Sequence, residues 1–422
     1  MTTPSTPRRL APAVAFAVLG AVAIAGAGLI AGRADLVAVG IPLALWAAIA
    51  LLRPRRERPV EVTLQSAPPS QDGWLDDEIR VQAEAELVQL AVIQSDRRVR
   101  TVVLTPDETV STSTRSLHSG PVISVRVQAR TADADAGLLT AADAPRRLVR
   151  TVAPPLRPLP RLPLPLRLTG LHGAHDGPRP GQGGDFRDIH PFVPGDELRR
   201  VDWRATARAA RRPGDLLVRR TDTLSDASVV IAMDTADDLG AVVASWGTGD
   251  LRRSGATSLD RAREAARAVA SAAVDRGDRV AFHALAPGGR SVRSGAGARH
   301  LARVTAAIAA TGQTGDDTRY RRAPIVPHGS IVCVLSNCFD GAAAELALMW
   351  RASGHRVLAI DTLPELDTSR LSIERRLALR ILLAERDDMV EELTTAGVDV
   401  LAWRDDPVTA LTVIARTRSA AR

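Results

Sequence analysis

The side chains best suited to chemistry are three carboxylates that follow a short apolar run. Asp234, Asp237 and Asp238 come directly after Val229–Met233, which has the length and composition of a buried strand. Carboxylate oxygens are ligands that Mg²⁺ prefers in proteins. These carboxylates are the only residues that favour a metal-dependent hydrolase, because the sequence contains neither an HExxH nor a GxSxG motif.

The segment after Ser228 should form the elements that position these carboxylates. A helix is predicted over residues 257–276, with Thr257 and Asp260 as a capping box and Gly277 as its stop. Further strands are predicted at 280–284, 331–335, 357–360 and 398–403. Buried strands that alternate with helices predict a parallel sheet covered on both faces. Ligands of such sheets bind beyond the carboxyl ends of the strands, which is where Asp234 falls.

A second informative stretch, residues 183–208, intersperses charged residues with aromatic and aliphatic ones. Pro194 and Gly195 predict a turn, after which Asp196 is expected to cap a helical turn. Asp202 is expected to cap a short helix that runs to Arg208, or to pair with Arg208. We expect Trp203 to pack into the protein, so that this stretch forms a buried or half-buried belt with a structural role and no catalytic one.

The belt resembles the signature of the domain of unknown function 58 family. The resemblance is carried by Gly181, Gly183, Asp185, Phe186, Pro194, Gly195, Asp196, Arg199, Val201, Asp202, Trp203, Ala207 and Arg208. It implies a bacterial protein with a von Willebrand factor type A-like domain. Such proteins are often encoded beside a MoxR-type AAA+ ATPase, which is therefore the expected partner.

Type A domains hold a divalent cation with an Asp-x-Ser-x-Ser motif, a later Thr and an Asp after the fourth strand. By this resemblance Asp234 is the first ligand, whereas Ala236 replaces one Ser and Asp238 the other. Asn337 stands where the family often has Asp, and the Thr would come from Thr311, Thr314 or Thr318. We therefore expect a degenerate site that binds Mg²⁺ weakly or not at all. The alternative interpretation is that Asp234, Asp237 and Asp238 form an acidic rim without a metal ion, and that this rim contacts another protein.

The amino-terminal region contains two apolar runs, Leu10–Ala31 and Leu36–Leu52. Each is near the length that a membrane-spanning helix needs, so residues 10–52 are predicted to form a two-pass hairpin in lipid. Arg8 and Arg9 precede it, and the Arg-rich segment 53–58 follows it. Positive flanks face the cytoplasm, so the remainder of the chain is expected inside the cell, at the plasma or inner membrane.

Four segments are predicted along the chain. Short alternating runs, clearest at Pro121–Arg130, predict a small β-rich, sandwich-like domain, although residues 76–90 are also compatible with a helix. The predicted segments are a transmembrane hairpin (1–58), the β-rich domain (59–168), the motif belt (169–227) and the type A-like α/β domain (228–422).

Composition excludes some classes of function and disfavours others. The chain has a net charge of +7 and no Lys, so it has no GxxxxGK[ST] nucleotide-binding loop of its own. Outside the belt, no Arg strip is interleaved with aromatics, which disfavours nucleic acid as a partner. The favoured function is a non-enzymatic, membrane-anchored scaffold or adaptor that works with the ATPase. The alternatives are a metal-dependent hydrolase of the cell envelope and a nucleic-acid-binding protein.

Overall fold

The computed structural model describes residues 8–52, 60–94, 98–133, 138–140, 142–160, 162–163, 175–209, 212, 215–248, 253–315 and 323–419. The Arg-rich flank at 53–58 and Thr318 therefore lie outside the described residues. The chain divides into two compact units. The first comprises residues 1–117 and 122–150, and the second comprises residues 118–121 and 151–422.

The first unit begins with a pair of apolar helices. Strand β1 (Arg8–Leu10) precedes α1 (Pro12–Ile30) and α2 (Ala34–Leu52). Both helices are long and apolar enough to cross a membrane, and most of their residues are exposed. A Cβ on Gly28 would lie 2.9 Å from the backbone N of Val37, so the missing side chain lets the two helices approach closely. The prediction of two apolar helices is confirmed.

The rest of the first unit is antiparallel sheet. Its strands are β2 (Val60–Ala67), β3 (Trp74–Ala83), β4 (Leu87–Gln94), β5 (Arg98–Leu104), β6 (Thr109–Arg115), β7 (Gly120–Ala132), β8 (Leu138–Thr140) and β9 (Arg146–Val152). One sheet has the order β2-β3-β6, and the other has the order β1-β8-β7-β4-β5 with β9 on β7. Alternate residues of β3, β4 and β7 form one apolar core. Residues 76–90 are thus strands, and the helical alternative is wrong.

The second unit opens with a β-hairpin. Its strands are β10 (His175–Pro191) and β11 (Leu217–Ser225), which pair antiparallel with several register shifts. Between them lie a 3₁₀ turn at Leu198–Arg200 and the short helix α3 (Trp203–Ala209). This hairpin and its insertion contain the motif belt.

The larger part of the second unit is a doubly wound α/β fold. Its elements are β12 (Ser228–Asp234), α4 (Ser258–Val274), β13 (Arg279–Leu285), β14 (Ser291–Gly295), α5 (Ala298–Ala309), β15 (Ser330–Ser336), α6 (Ala342–Ala352), β16 (Arg356–Asp361), α7 (Ile373–Thr395), β17 (Asp399–Ala402) and α8 (Pro407–Ser419). The strand order is β14-β13-β12-β15-β16-β17, in which only the edge strand β14 runs antiparallel.

Apolar side chains on both faces explain why these strands are buried. Alternate residues of β12 pack into one core with α4, α5 and α8, and the opposite face packs with α6 and α7. The predicted capping box is present, because Thr257 and Asp260 satisfy each other's backbone N–H groups at the start of α4. The chain crosses from one side of β12 to the other between β14 and β15. In sheets of this kind the crevice for ligands lies at such a crossing, here beyond the carboxyl ends of β12 and β15.

Candidate functional site

Asp234 lies at the carboxyl end of β12, beside this crevice, and its carboxylate accepts hydrogen bonds from neighbouring groups of the same chain. The Asp234 side chain is buried and accepts a hydrogen bond from Ser336 Oγ at 2.6 Å and another from Ala236 N at 3.1 Å. Ser336 Oγ in turn accepts from Cys338 N at 2.9 Å. Both carboxylate oxygens of Asp234 therefore hold the loop after β15 and the turn after β12 in place.

Thr314 lies beside the same turn. Its backbone N donates to Thr235 O at 2.9 Å, and the hydroxyl oxygens of Thr314 and Thr235 are 2.9 Å apart. The loop after α5 is thus fixed to the residue that follows Asp234. Of the two Thr candidates that the structure describes, Thr311 and Thr314, it is Thr314 that is joined to the Asp234 turn.

Asp238 and Asn337 are engaged elsewhere. Asp238 accepts a hydrogen bond from Leu259 N at 3.1 Å at the start of α4, and burial raises the pKa of this carboxyl. Asn337 Oδ1 accepts from Phe339 N at 3.1 Å, while its carbonyl oxygen accepts from Arg386 Nε at 2.7 Å. These two side chains therefore serve local structure.

Asp340 is a site residue that the sequence analysis missed. Desolvation, followed by the charge of Asp234, raises its pKa to about 6, and the charge of Asp237 acts in the same direction. The only signal in the sequence was an Asp-Gly pair three residues beyond Asn337. In the described part of the chain, no group of three or more His, Cys, Asp or Glu side chains has an arrangement that could hold a metal ion. Whether the rim binds Mg²⁺ stays a prediction.

The belt divides into residues that hold it together and residues that face solvent. Asp202 Oδ1 accepts from Arg204 N at 3.1 Å and Ala205 N at 2.9 Å, so Asp202 caps α3 as predicted. Thr206 Oγ1 accepts from Leu217 N at 3.0 Å and fixes α3 to β11. Val201 is buried and bridges to Val218. These contacts give the helix one orientation.

That orientation turns Trp203 outward, and the prediction that Trp203 packs into the protein is wrong. Its side chain is 66% exposed. Arg204, Ala207 and Arg208 are exposed on the same short helix, which contains no acidic residue. Asp202 serves as the helix cap, and neither Arg204 nor Arg208 has an ion-pair partner among the described residues.

The hairpin exposes aromatic, aliphatic and arginine side chains of its own. The guanidinium of Arg219 stacks over the Phe186 ring at 5.2 Å, and Arg219 pairs in register with Ile189. Directly paired residues of an antiparallel sheet share a face, and both Phe186 and Ile189 are exposed there. We call the exposed side chains of Phe186, Ile189, Trp203, Arg204, Arg208 and Arg219 the belt surface.

The remaining signature residues shape the turn before α3. Gly195 has φ +106°, a conformation that favours glycine, so the predicted turn after Pro194 is confirmed. Asp196 accepts from Val193 N at 2.9 Å on its amino-terminal side, so the expectation that it caps the next helical turn is wrong. Arg199 pairs with Glu197 at 2.5 Å. Gly183 and Asp185 lie on β10.

Together these features define an α/β domain with an internally hydrogen-bonded carboxylate rim and an exposed surface rich in arginine and aromatic side chains. Residues 188–371 match the family model described as "Protein of unknown function DUF58". This part of the chain is therefore a DUF58 domain, and the resemblance noted from the belt is confirmed. The match begins after Gly183, Asp185 and Phe186. No curated protein matches the chain.

Proposed function

We propose that this protein is a membrane-anchored, non-enzymatic docking scaffold that presents a type A-like domain to a MoxR-type AAA+ ATPase in the cytoplasm. The belt surface is the contact for the ATPase. The observation that carries the proposal is the exposure of Trp203 and its arginine neighbours on a helix that the chain fixes in one orientation.

The energetics of an exposed tryptophan support this role. Leaving a large apolar side chain in water gains nothing for folding, whereas Trp and Arg are the residues that contribute most at protein interfaces. Asp202, Thr206 and Val201 hold α3 through a cap, a hydrogen bond and a buried contact. A surface that is already rigid loses little entropy when a partner binds.

The strand order supports the type A-like assignment. A sheet of mostly parallel strands, covered by helices on both faces and with an Asp at the carboxyl end of its first strand, agrees with a type A-like domain. At that position Ser336 and Ala236 already use the Asp234 carboxylate. We therefore assign Asp234 and Asp238 a structural role, in which they hold the loops of a domain that binds a partner, and no role in catalysis.

Anchoring follows from the amino-terminal helices. Both α1 and α2 expose large aliphatic side chains along most of their length, which suits lipid as their surroundings. The Arg residues at 8–9 and 53–58 support a cytoplasmic position for both flanks, because positively charged flanks favour that side. The second unit is then held where a cytoplasmic ATPase can reach it.

Co-purification tests the proposal. The full-length chain is purified from its native membranes in mild detergent, and co-purifying proteins are identified by mass spectrometry. We expect a AAA+ protein with a Walker A motif, lost in Trp203→Ala/Arg208→Glu and retained in Ile325→Ala. Ile325 is the matched control because its side chain is 91% exposed outside the belt.

The same preparations separate the rival functions. A hydrolase would retain a metal ion in a manner that depends on Asp234 and Asp238, so the double alanine variant would lose both metal and activity. Binding of nucleic acid would persist in the variant that lacks residues 53–58 and would weaken steeply with salt. Either result, without an ATPase, contradicts the scaffold proposal.

A further inference from the structure

Helix α7 has an uneven distribution of charge along its length. Its first half carries Arg375, Arg376 and Arg380 against the single acid Glu374. Its second half carries five acids, Glu385, Asp387, Asp388, Glu391 and Glu392. The only base of that half, Arg386, is buried; it pairs with Asp361 at 2.5 Å and with Asp387, which stays largely exposed, at 3.5 Å. The solvent-facing side of α7 is therefore basic at one end and acidic at the other.

Most of this helix is not covered by the fold. Only Leu379, Arg386 and Leu393 are buried among its 23 residues. Steps of three or four residues place side chains on one helical line. One such line is exposed along the whole helix and consists of Ile373, Arg376, Arg380, Ala384, Asp387 and Glu391.

We propose that this line is a self-association surface, and that its occupant is α7 of a second copy of this chain, packed antiparallel. A twofold axis beside Ala384 places Arg380 opposite Asp387 of the second copy. The same axis places Arg376 opposite Glu391 of the second copy. Because the contact is symmetric, each ion pair forms twice, and the small Ala384 side chain lets the two helices approach at the crossing point.

Self-complementarity favours a second copy over other occupants. An anionic membrane would attract the basic half of α7 and repel the acidic half on the same line. A uniformly acidic partner would likewise leave Asp387 and Glu391 facing like charge. An antiparallel copy matches both halves at once, and Ile373, which is 80% exposed, is partly covered at the ends of the pair.

Cysteine cross-linking in the full-length chain tests the position of the axis. The native Cys333 and Cys338 are buried, and burial raises their pKa values to about 12 and about 11, so neither thiol competes. Ala384→Cys should form a disulfide-linked dimer under mild oxidation. Leu377→Cys is the matched control, since it is 56% exposed on the same helix but lies about 20 Å along the helix axis from its symmetry mate. Equal cross-linking of the two variants would overturn the proposal.

Charge reversal tests the pairing. Arg380→Glu should weaken dimerisation about tenfold in sedimentation experiments, because two attractive contacts become repulsive. Asp387→Arg should do the same, and Arg380→Glu/Asp387→Arg should restore the dimer. Both substitutions are on the surface, and circular dichroism checks that each of the three variants folds. A wild-type chain that stays monomeric at all concentrations, or a double variant as weak as the singles, refutes the antiparallel pair.

Discussion

Truncation of Trp203 separates a docking role from a structural one. A Trp→Ala change in a core costs roughly 3–5 kcal/mol. Trp203 is 66% exposed, so only about a third of that loss applies, or about 1–1.7 kcal/mol. For a domain of this size, that corresponds to a fall in melting temperature of about 2–7 °C. Trp203→Ala should therefore stay folded at physiological temperature.

Trp403 provides the internal comparison, because its side chain is fully buried in the same unit. Trp403→Ala should cost the full amount, roughly 3–5 kcal/mol, and should lower the melting temperature several times further. Both variants are measured by thermal denaturation followed by near-ultraviolet circular dichroism, beside co-purification of the ATPase. The reasoning is refuted if Trp203→Ala destabilises the protein as much as Trp403→Ala, or if it leaves partner binding intact.

Three further predictions concern the rim and the anchor. The pKa of Asp340 is about 6 in the folded protein against 3.8 in a model peptide, so folding disfavours its ionised form. The Asp340 carboxylate therefore lowers the free energy of unfolding above pH 6, and this destabilisation disappears as the pH falls to about 4. The full pKa shift corresponds to roughly 3 kcal/mol, and solvent screening of this exposed side chain reduces it to about 1 kcal/mol. Asp340→Asn should therefore raise the melting temperature at pH 7.5 but not at pH 4. An equal rise at the two pH values would contradict the raised pKa of Asp340. Calorimetry should show weak or no Mg²⁺ binding by the wild-type chain. Binding should strengthen when the family ligands are restored by Ala236→Ser, Asp238→Ser and Asn337→Asp. Micromolar affinity of the wild type that Asp234→Ala abolishes would overturn the prediction of a degenerate site. A reporter fused after Arg422 should be active only in the cytoplasm, and deletion of residues 1–52 should release the chain from membranes; activity outside the cell, or a product that stays membrane-bound through a carbonate wash, would contradict the anchor.

Local signals in the sequence were sufficient to predict much of the α/β domain. The capping box at Thr257 and Asp260 and the stop at Gly277 involve neighbours in the chain, so their chemistry is readable without a fold. Strand β12 was readable because burial on both faces requires a continuous apolar run. The edge strand β14 was not predicted, since Ser291–Gly295 is short and polar.

Residues whose roles depend on distant partners were not readable. A pattern of apolar side chains shows that water is disfavoured, but it does not show whether the protein's own core or another molecule covers them, which is why Trp203 was assigned to the interior. Asp340 was missed because its electrostatic environment arises from Asp234 and Asp237, which lie about a hundred residues earlier in the chain. The fold of the sheet brings these three carboxylates together, and the spacing of residues along the chain does not predict that they are close.

Photo-cross-linking in living cells tests the docking claim most directly. A photoreactive amino acid is placed at position 203 of the full-length chain, and a control chain carries it at position 325, where Ile325 is also exposed to solvent. We expect position 203 to cross-link to a AAA+ ATPase of the MoxR type and position 325 not to do so. Capture of only lipid or nucleic acid at position 203, or the same products at both positions, would contradict the claim that the belt surface binds the ATPase.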